Sequence, residues 1–550
     1  MVRDTLVFIL AGGKGNRLMP LTLYRSKPAV PFAAQYRIID FTVSNCINSG
    51  IKWIYMLTQY KSNSLAWHAQ LAYSHHFVPE AGEFITTVPP QQLIGEDWYR
   101  GTADAVYQNF QFMQAIDPLY ALILAGDHVY KMDYGELLAY HIDNRADVTI
   151  AVVETPIEQA RGQYGVLTLD ASGRVTGFSE KPSDPTPTPH NAAACFSSMG
   201  VYVFNTATLE GMLIEDARDA GSSHDFGRDI LPKAYAELAV YGYSFTYPGG
   251  APQYWRDVGT LDQYFEANID LTRPLPELNM HDRSWPVHTR QTSLPPAKFV
   301  LDDRTQQGRV GHAVNSLVGP GCIISGARVA GSIVSPDVQI DERSLVTNSI
   351  IMSGARIGKR VHIDRAIIDK HTVVPDDSVI RAHDMRFDDD TITTESGIVV
   401  VPKKTPSHAP PSHWRRIETL GVDRGPSRRA LAHVLVVDDD AASRHVFREL
   451  LEDPAIQPLI AESGPHALAL AEQHDVVLAF VDVDLRPMDG VQVIAELRRL
   501  RPEVKVVLLA AVPDDPRVEQ ARLLGIADCI YKPFDFRSFT TALRRFAQAR

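Results

Sequence analysis

A chain of 550 residues is too long for a single hydrophobic core; at roughly 100–200 residues per domain it divides into about three or four folded units. With 45% hydrophobic and 22% charged residues it is neither a disordered nor a fibrous chain, and a formal net charge of -12 gives no bulk attraction to nucleic acid or to an anionic membrane. The 4 cysteines, Cys46, Cys195, Cys322 and Cys529, lie far apart and match no metal spacing, which argues against a disulfide scaffold or a zinc domain.

The apolar run from Leu6 to Ala11 reads as a buried parallel strand rather than a signal peptide, because Gly12, Gly13, Lys14 and Arg17 follow at once without a cleavage region. No apolar run reaches the roughly 18 residues of a membrane span. The expectation is a cytoplasmic protein with neither membrane nor nucleic acid as partner. Between Asp4 and about Asn268, short apolar strands at 5–10, 54–58, 120–125 and 149–153 alternate with amphipathic stretches such as 134–145. This pattern predicts an α/β layer with a largely parallel sheet and functional loops at the carboxyl ends of its strands.

The first strand runs into Gly12-Gly13-Lys14-Gly15-Asn16-Arg17. Glycines let the backbone approach a phosphate chain, and Lys14 and Arg17 add positive charge. A dinucleotide fingerprint would need a third glycine where Leu18 stands, and a P-loop would need a Lys-Ser/Thr pair. Neither pattern fits, so this turn alone leaves a nucleotide site and a plain structural turn both open.

After Pro295 the period changes. Leu317, Ile323 and Val329 are six apart, as are Leu345, Ile351, Ile357 and Ile363, and in another phase Val361, Ile367, Val373 and Val379. An aliphatic residue at every sixth position predicts a hexapeptide-repeat parallel β-helix. Residues 401–432 are rich in proline and basic pairs and read as a linker. Beyond them, strands at 434–437, 476–482, 504–511 and 529–531 alternate with helical segments, a compact doubly wound domain. Asp438, Asp439 and Asp482 fall at strand ends, where three carboxylates make a magnesium site, and Lys532 can pair with a phosphoryl group on Asp482. The domains are thus placed at 1–290, 291–400 and 433–550, with the linker at 401–432.

Read in order, the motifs LAGGKGNRL, SKPAVPF around Lys27, RIIDFTVSNCINSG, WYRGTADAV, LAGDHVYKMDY around Asp127, EKP, SMGVYVF, SSHDFGRD and YWRDVGT around Asp257 are similar to those of bacterial glucose-1-phosphate adenylyltransferases over about residues 4–400. The resemblance implies a Rossmann-like nucleotidyltransferase domain followed by a left-handed β-helix, ATP and α-D-glucose 1-phosphate as substrates, ADP-glucose for glycogen synthesis and pyrophosphate as products, and a homotetramer. It assigns the triphosphate to Gly12, Gly13, Lys14, Gly15 and Arg17, catalytic roles to Arg17, Lys27 and Asp127, and Mg²⁺ to Asp127 and Asp257. Tyr99, Gly165, Glu180, Lys181 and Ser198 match its glucose-1-phosphate positions. The rivals are a nucleotidyltransferase for another nucleotide or sugar phosphate, and a scaffold that senses sugar phosphates without turning them over.

The last domain resembles the flavodoxin-like receiver of response regulators. The resemblance makes Asp482 the phospho-acceptor, Asp438 and Asp439 the Mg²⁺ acids, Lys532 the phosphate partner, and a sensor histidine kinase the donor. Ala510 and Cys529 stand where receivers usually carry the switch hydroxyl and the switch aromatic. Arg25 and Arg37 match effector-binding arginines of enteric relatives, but Tyr24, Pro31, Gln35 and Ala115 replace other cationic or basic positions there. Weak activation by fructose 1,6-bisphosphate is therefore expected, with the receiver supplying control.

Overall fold

The computed structural model describes residues 1–13, 15–90, 98–302, 309–382, 384, 385, 387, 391–403, 432–440, 443, 444, 447, 456–510 and 515–531. One compact unit spans Met1–Lys403 and a second lies beyond it.

The first unit is built around the strand Thr5–Leu10, buried along nearly its whole length as its apolar run requires. Alternate residues feed two cores: Val7 and Ile9 pack into one face of the sheet, Leu6 and Phe8 into the other. The strand pairs in parallel with Trp53–Leu57 and Tyr120–Ala125, and Trp53–Leu57 carries Phe84–Val88 in the same direction. Beyond Tyr120–Ala125 the direction reverses. The long strand Ala194–Asn205 is antiparallel to Tyr120–Ala125, Val148–Pro156 and Gly165–Leu169, and a hairpin of Gly165–Leu169 with Val175–Glu180 closes that edge. The 9-stranded sheet is therefore mixed, not largely parallel. A fully buried strand reads as the same apolar run in either direction, so the sequence pattern could not distinguish the two.

From Lys298 onward, short strands stack into three sheets that are parallel along most of their length, forming a β-helix. Ile351, Ile357 and Ile363 are buried, as the six-residue spacing predicts, but Val373 is exposed. The reason is the length of a coil. Ile357 pairs with Val374 and Ile363 with Ile380, seventeen residues on rather than eighteen, so the inward phase slips by one and Val374 and Ile380 fill the core. Asn315, Asp337, Asn348 and Asp377 take left-handed backbone around the coils, a conformation that Asn and Asp tolerate better than other side chains.

The α/β layer and the β-helix share one core, in which Leu18, Phe32, Phe41 and Tyr264 pack with Ile333, Ile350, Met352 and Ile367. Arg25 crosses the same boundary. Its Nη2 donates to both carboxylate oxygens of Asp369 at 2.9 and 3.1 Å, with both residues buried. Loss of one member of such a pair costs about 3–5 kcal/mol, because the other charge is left buried alone.

The second unit is a parallel sheet in the order Ile456–Ala461, Ala432–Val437, Val476–Asp482, Lys505–Ala510, Asp528–Tyr531. That is the doubly wound order of the flavodoxin-like fold. Helices Gly464–Gln473, Gly490–Leu500 and Pro516–Leu523 lie between its strands in the chain.

Candidate active site

The glycine loop follows the end of Thr5–Leu10, at the carboxyl edge of the parallel half of the sheet. Two of its glycines are required by space. A Cβ on Gly12 would lie 3.0 Å from the Cβ of Gln59, and Gly15 has φ 66° and packs against Thr22 and Lys27. Thr22 Oγ1 donates to the Gly15 carbonyl at 2.8 Å and fixes the loop. Gly13, Gly15, Asn16, Arg17, Lys27, Asp127 and Gly259 line a cavity of about 300 Å³ here.

At the cavity's inner end, Lys27 Nζ lies 2.9 Å from Asp127 and 2.6 Å from Asp257. Each of the three comes from a different part of the chain. Lys27 begins the short helix Lys27–Ala29, and Asp127 follows the strand Tyr120–Ala125. Asp257 ends the strand Trp255–Asp257, which pairs antiparallel with His128–Tyr130 so that Asp257 lies opposite His128. Burial works against the Lys27 charge, but Asp127 and Asp257 outweigh it and raise the ammonium above its ordinary range. Burial likewise opposes ionisation of Asp127, and Lys27, then His128, overcome it and hold the carboxyl well below the usual carboxylate range. His128 Nδ1 lies 3.0 Å from the Met199 carbonyl, which fixes the ring, and Nε2 faces Asp127 at 3.6 Å. Ligand atoms of Asp127, His128 and Asp257 all fall within 4.8 Å of one another. The buried ammonium already sits where the carboxylates converge, so their oxygens are arranged for a cation, and hard oxygen donors suit a divalent one.

Arg17 links this cavity to a second group of predicted residues. Its Nη1 donates to Gln163 Oε1 at 3.0 Å, and Gln163 precedes Tyr164 and Gly165. Tyr164 stands edge-to-face with Trp255, 5.1 Å between centroids, and its hydroxyl is pushed up to about 12 by burial and then by Asp257. Gly165 pairs across the hairpin with Glu180, and a Cβ on Gly165 or Gly227 would meet Glu180 Oε2 at 2.9 or 2.6 Å. Burial raises the Glu180 carboxyl, while Lys181, its Nζ 3.4 Å away, opposes the shift. Lys181 itself is half exposed and takes left-handed backbone. Ser198 Oγ lies 3.3 Å from the Tyr202 hydroxyl, and Tyr99, in the same apolar cluster as Tyr202, accepts from Asn109 at 2.9 Å. In the second unit, Asp438, Asp439 and Asp482 bring ligand atoms within 4.8 Å of one another, Asp438 and Asp482 buried and Asp439 exposed.

Residues 6–273 match the nucleotidyl transferase family, 295–401 the GlmU-like C-terminal hexapeptide family, and 434–544 the response regulator receiver domain. The chain is 49% identical to the glucose-1-phosphate adenylyltransferase of Methylococcus capsulatus over 381 residues, covering 69% of this chain and 89% of that protein. It is 46% identical to the enzyme of the same name from Nitrosococcus oceani over 404 residues, 73% and 94% of the two chains. The chain belongs to the glucose-1-phosphate adenylyltransferase family. To that family's two folds it adds a receiver domain.

Of the predicted residues, Gly13, Gly15, Arg17, Lys27 and Asp127 line one cavity, Asp257 reaches it through Lys27, and Gly12 precedes it in the same loop; Gly165 and Lys181 lie beside Glu180, and Ser198 lies against Tyr202, whose apolar cluster contains Tyr99. Lys14 and Lys532 lie outside the described residues. Arg25 and Arg37 sit apart, at the boundary with the β-helix. There Arg37 donates to the Ser64 carbonyl and hydroxyl, each at 3.0 Å, and burial, then Arg37 and Arg25, push Lys370 down to about 7. Sequence reasoning missed His128, Gln163, Tyr164 and Lys370. His128 follows Asp127 directly and could have been flagged by that adjacency; the other three carry no signal without the fold. Trp255 has a buried indole N–H with no partner among the described residues, beside Tyr164 and His128.

Gly15→Ala tests the loop. A methyl there would sit 3.0 Å from Thr22 Cγ2 and 3.1 Å from Lys27 Cβ at a left-handed φ. Such backbone costs about 1–2 kcal/mol, so ATP affinity measured by calorimetry should fall about tenfold. Unchanged affinity would show that the loop does not carry the triphosphate.

Proposed function

We propose that the first unit transfers the adenylyl group of ATP to the phosphate of α-D-glucose 1-phosphate, releasing pyrophosphate and forming ADP-glucose. The observation that carries this reading is the convergence of Lys27, Asp127 and Asp257 beside the glycine loop. A phosphate oxygen of the sugar attacks the α-phosphorus in line, the new P–O bond forming as the bond to the pyrophosphate oxygen breaks. Such transfer depends on positioning and on cations that neutralise the spreading charge, with no covalent nucleophile. Gly12, Gly13 and Gly15 let the backbone approach the triphosphate, and Arg17 and Lys27, with Lys14, supply positive charge. Asp127 and Asp257 would hold Mg²⁺, which when bound withdraws charge from the nucleotide phosphates. Glu180 accepts from sugar hydroxyls, Lys181 pairs with the sugar phosphate, and Tyr99, Gly165 and Ser198 complete the sugar site. A cytoplasmic homotetramer is the further expectation from family resemblance, with sedimentation mass as its measure.

Specificity is tested by pyrophosphate release from a panel of nucleotides and sugar phosphates. Turnover should be confined to ATP with glucose 1-phosphate; preference for another pair, or none, would favour one of the rival readings. In the same assay, fructose 1,6-bisphosphate should act by less than the roughly fivefold that marks a weak coupling, since Arg25 is already paired with Asp369.

For the second unit, the proposed reaction is transfer of a phosphoryl group from a kinase phosphohistidine to an Asp482 oxygen, the P–N bond breaking as the acyl phosphate forms. Mg²⁺ held by Asp438, Asp439 and Asp482 and the Lys532 ammonium would balance its charge. Ala510 offers no hydroxyl to that phosphoryl group, so its effect must reach the enzyme by another route. Beryllofluoride should change turnover or assembly in the wild-type chain and do neither in Asp482→Asn; an identical response in both would remove the regulatory role.

A further inference from the structure

The segment 222–229 packs against Glu180 and against the start of the helix Thr102–Tyr107, and the residue that anchors it belongs to no part of the chemistry described so far. His224 is buried and has φ 54°, the left-handed region in which a histidine needs outside support. That support comes from a buried carboxylate. Nδ1 lies 2.7 Å from Asp216 Oδ2, and because a carboxylate only accepts, Nδ1 carries the proton and donates. The other Asp216 oxygen accepts from Ser222 Oγ at 2.6 Å, and the Ser222 hydroxyl accepts in turn from the His224 backbone N–H at 2.9 Å. The helix Thr206–Arg218, through Asp216, therefore grips the segment by side chain and backbone together.

The held segment touches both the stretch that follows Tyr99 and Glu180. On one side, the His224 carbonyl accepts from the N–H groups of Ala103 and Asp104 at 2.8 and 3.3 Å, so it caps the helix Thr102–Tyr107 that begins three residues after Tyr99. Gly101 runs so close that a Cβ there would lie 2.2 Å from the His224 carbonyl oxygen. Thr102 Oγ1 donates to Asp225 Oδ2 at 3.0 Å and accepts from the Phe226 N–H at 2.9 Å, which locks the two stretches together. On the other side, Gly227 lies against Glu180, where a Cβ would fall 2.6 Å from Oε2.

We propose that His224, held by Asp216, is a positioning residue that sets Tyr99 and Glu180 at one spacing and thereby fixes the affinity for glucose 1-phosphate, an inference that rests on the assignment of those two residues to the sugar. Among the described residues, those lining the nucleotide cavity form no hydrogen bond with Asp216, Ser222 or His224, so loss of the anchor falls on one substrate.

The test is steady-state kinetics of the full chain with each substrate varied in turn. His224→Ala removes the donor and should raise KM for glucose 1-phosphate about tenfold, the size of one charge-assisted hydrogen bond, with kcat and KM for ATP within about twofold. His224→Asn keeps an amide donor and a residue type that tolerates the backbone, and should recover most of the loss. Asp216→Leu removes the acceptor and should match His224→Ala; if His224→Ala does not fold, the Asn and Leu variants carry the comparison. An unchanged KM for glucose 1-phosphate, equal rises in both KM values, or an Asn variant no better than Ala would each overturn the inference. Glu180→Gln run alongside separates the two levels. A raised KM there beside an unchanged one in His224→Ala overturns the positioning role alone, whereas an unchanged KM in Glu180→Gln overturns the sugar assignment and the inference with it.

Discussion

Lys27 holds a buried ammonium between two carboxylates, 2.9 Å from Asp127 and 2.6 Å from Asp257, and the geometry of the catalytic unit turns on that contact. Two carboxylates that converge on one point need a cation between them, and an ammonium buried without them would lose its charge. The constraint therefore acts on the fold as well as on the chemistry. It requires the loop after the first strand, the end of the strand Tyr120–Ala125 and the short strand Trp255–Asp257 to meet within hydrogen-bond reach. The rigid parallel half of the sheet supplies the first two, and the pairing of Trp255–Asp257 with His128–Tyr130 supplies the third. A cluster of this kind is prepared for triphosphate chemistry before substrate arrives, since its charges are already aimed at one point and need little reorganisation.

Much of this was legible in the chain because its motifs are local. The glycine loop, LAGDH and YWRDVGT each announce a strand end with a charged residue, and ordered motifs identify a family more securely than any one of them. What could not be read is what depends on direction or phase. The antiparallel course of Ala194–Asn205 leaves no mark in a fully buried strand. A coil of seventeen residues shifts the inward phase from Val373 to Val374, which a count by sixes cannot anticipate. His128 and Tyr164 gain their meaning only when Asp257 is brought beside them from far along the chain. The same is true of Asp369, whose pairing with Arg25 bridges the two folds.

That bridge bears on regulation. The β-helix and the catalytic layer form one body with a common core, and Arg37, Lys370 and the Arg25–Asp369 pair lie together at their boundary. The receiver is different. It forms a compact unit of its own, with an acid cluster intact at Asp438, Asp439 and Asp482 but with Ala510 where a switch hydroxyl is usual. The chain thus joins a nucleotidyltransferase and its hexapeptide domain to a receiver domain.

If the Lys27, Asp127 and Asp257 cluster performs adenylyl transfer, neutralising one carboxylate must slow the chemical step. Single-turnover formation of ADP-glucose from ATP and glucose 1-phosphate, compared between the wild-type chain and Asp257→Asn at matched secondary-structure content, measures that step. The rate in the variant should fall by about 10²-fold or more, the usual loss when a group that organises transition-state charge is neutralised. A variant that keeps the wild-type rate would remove the cluster from the reaction.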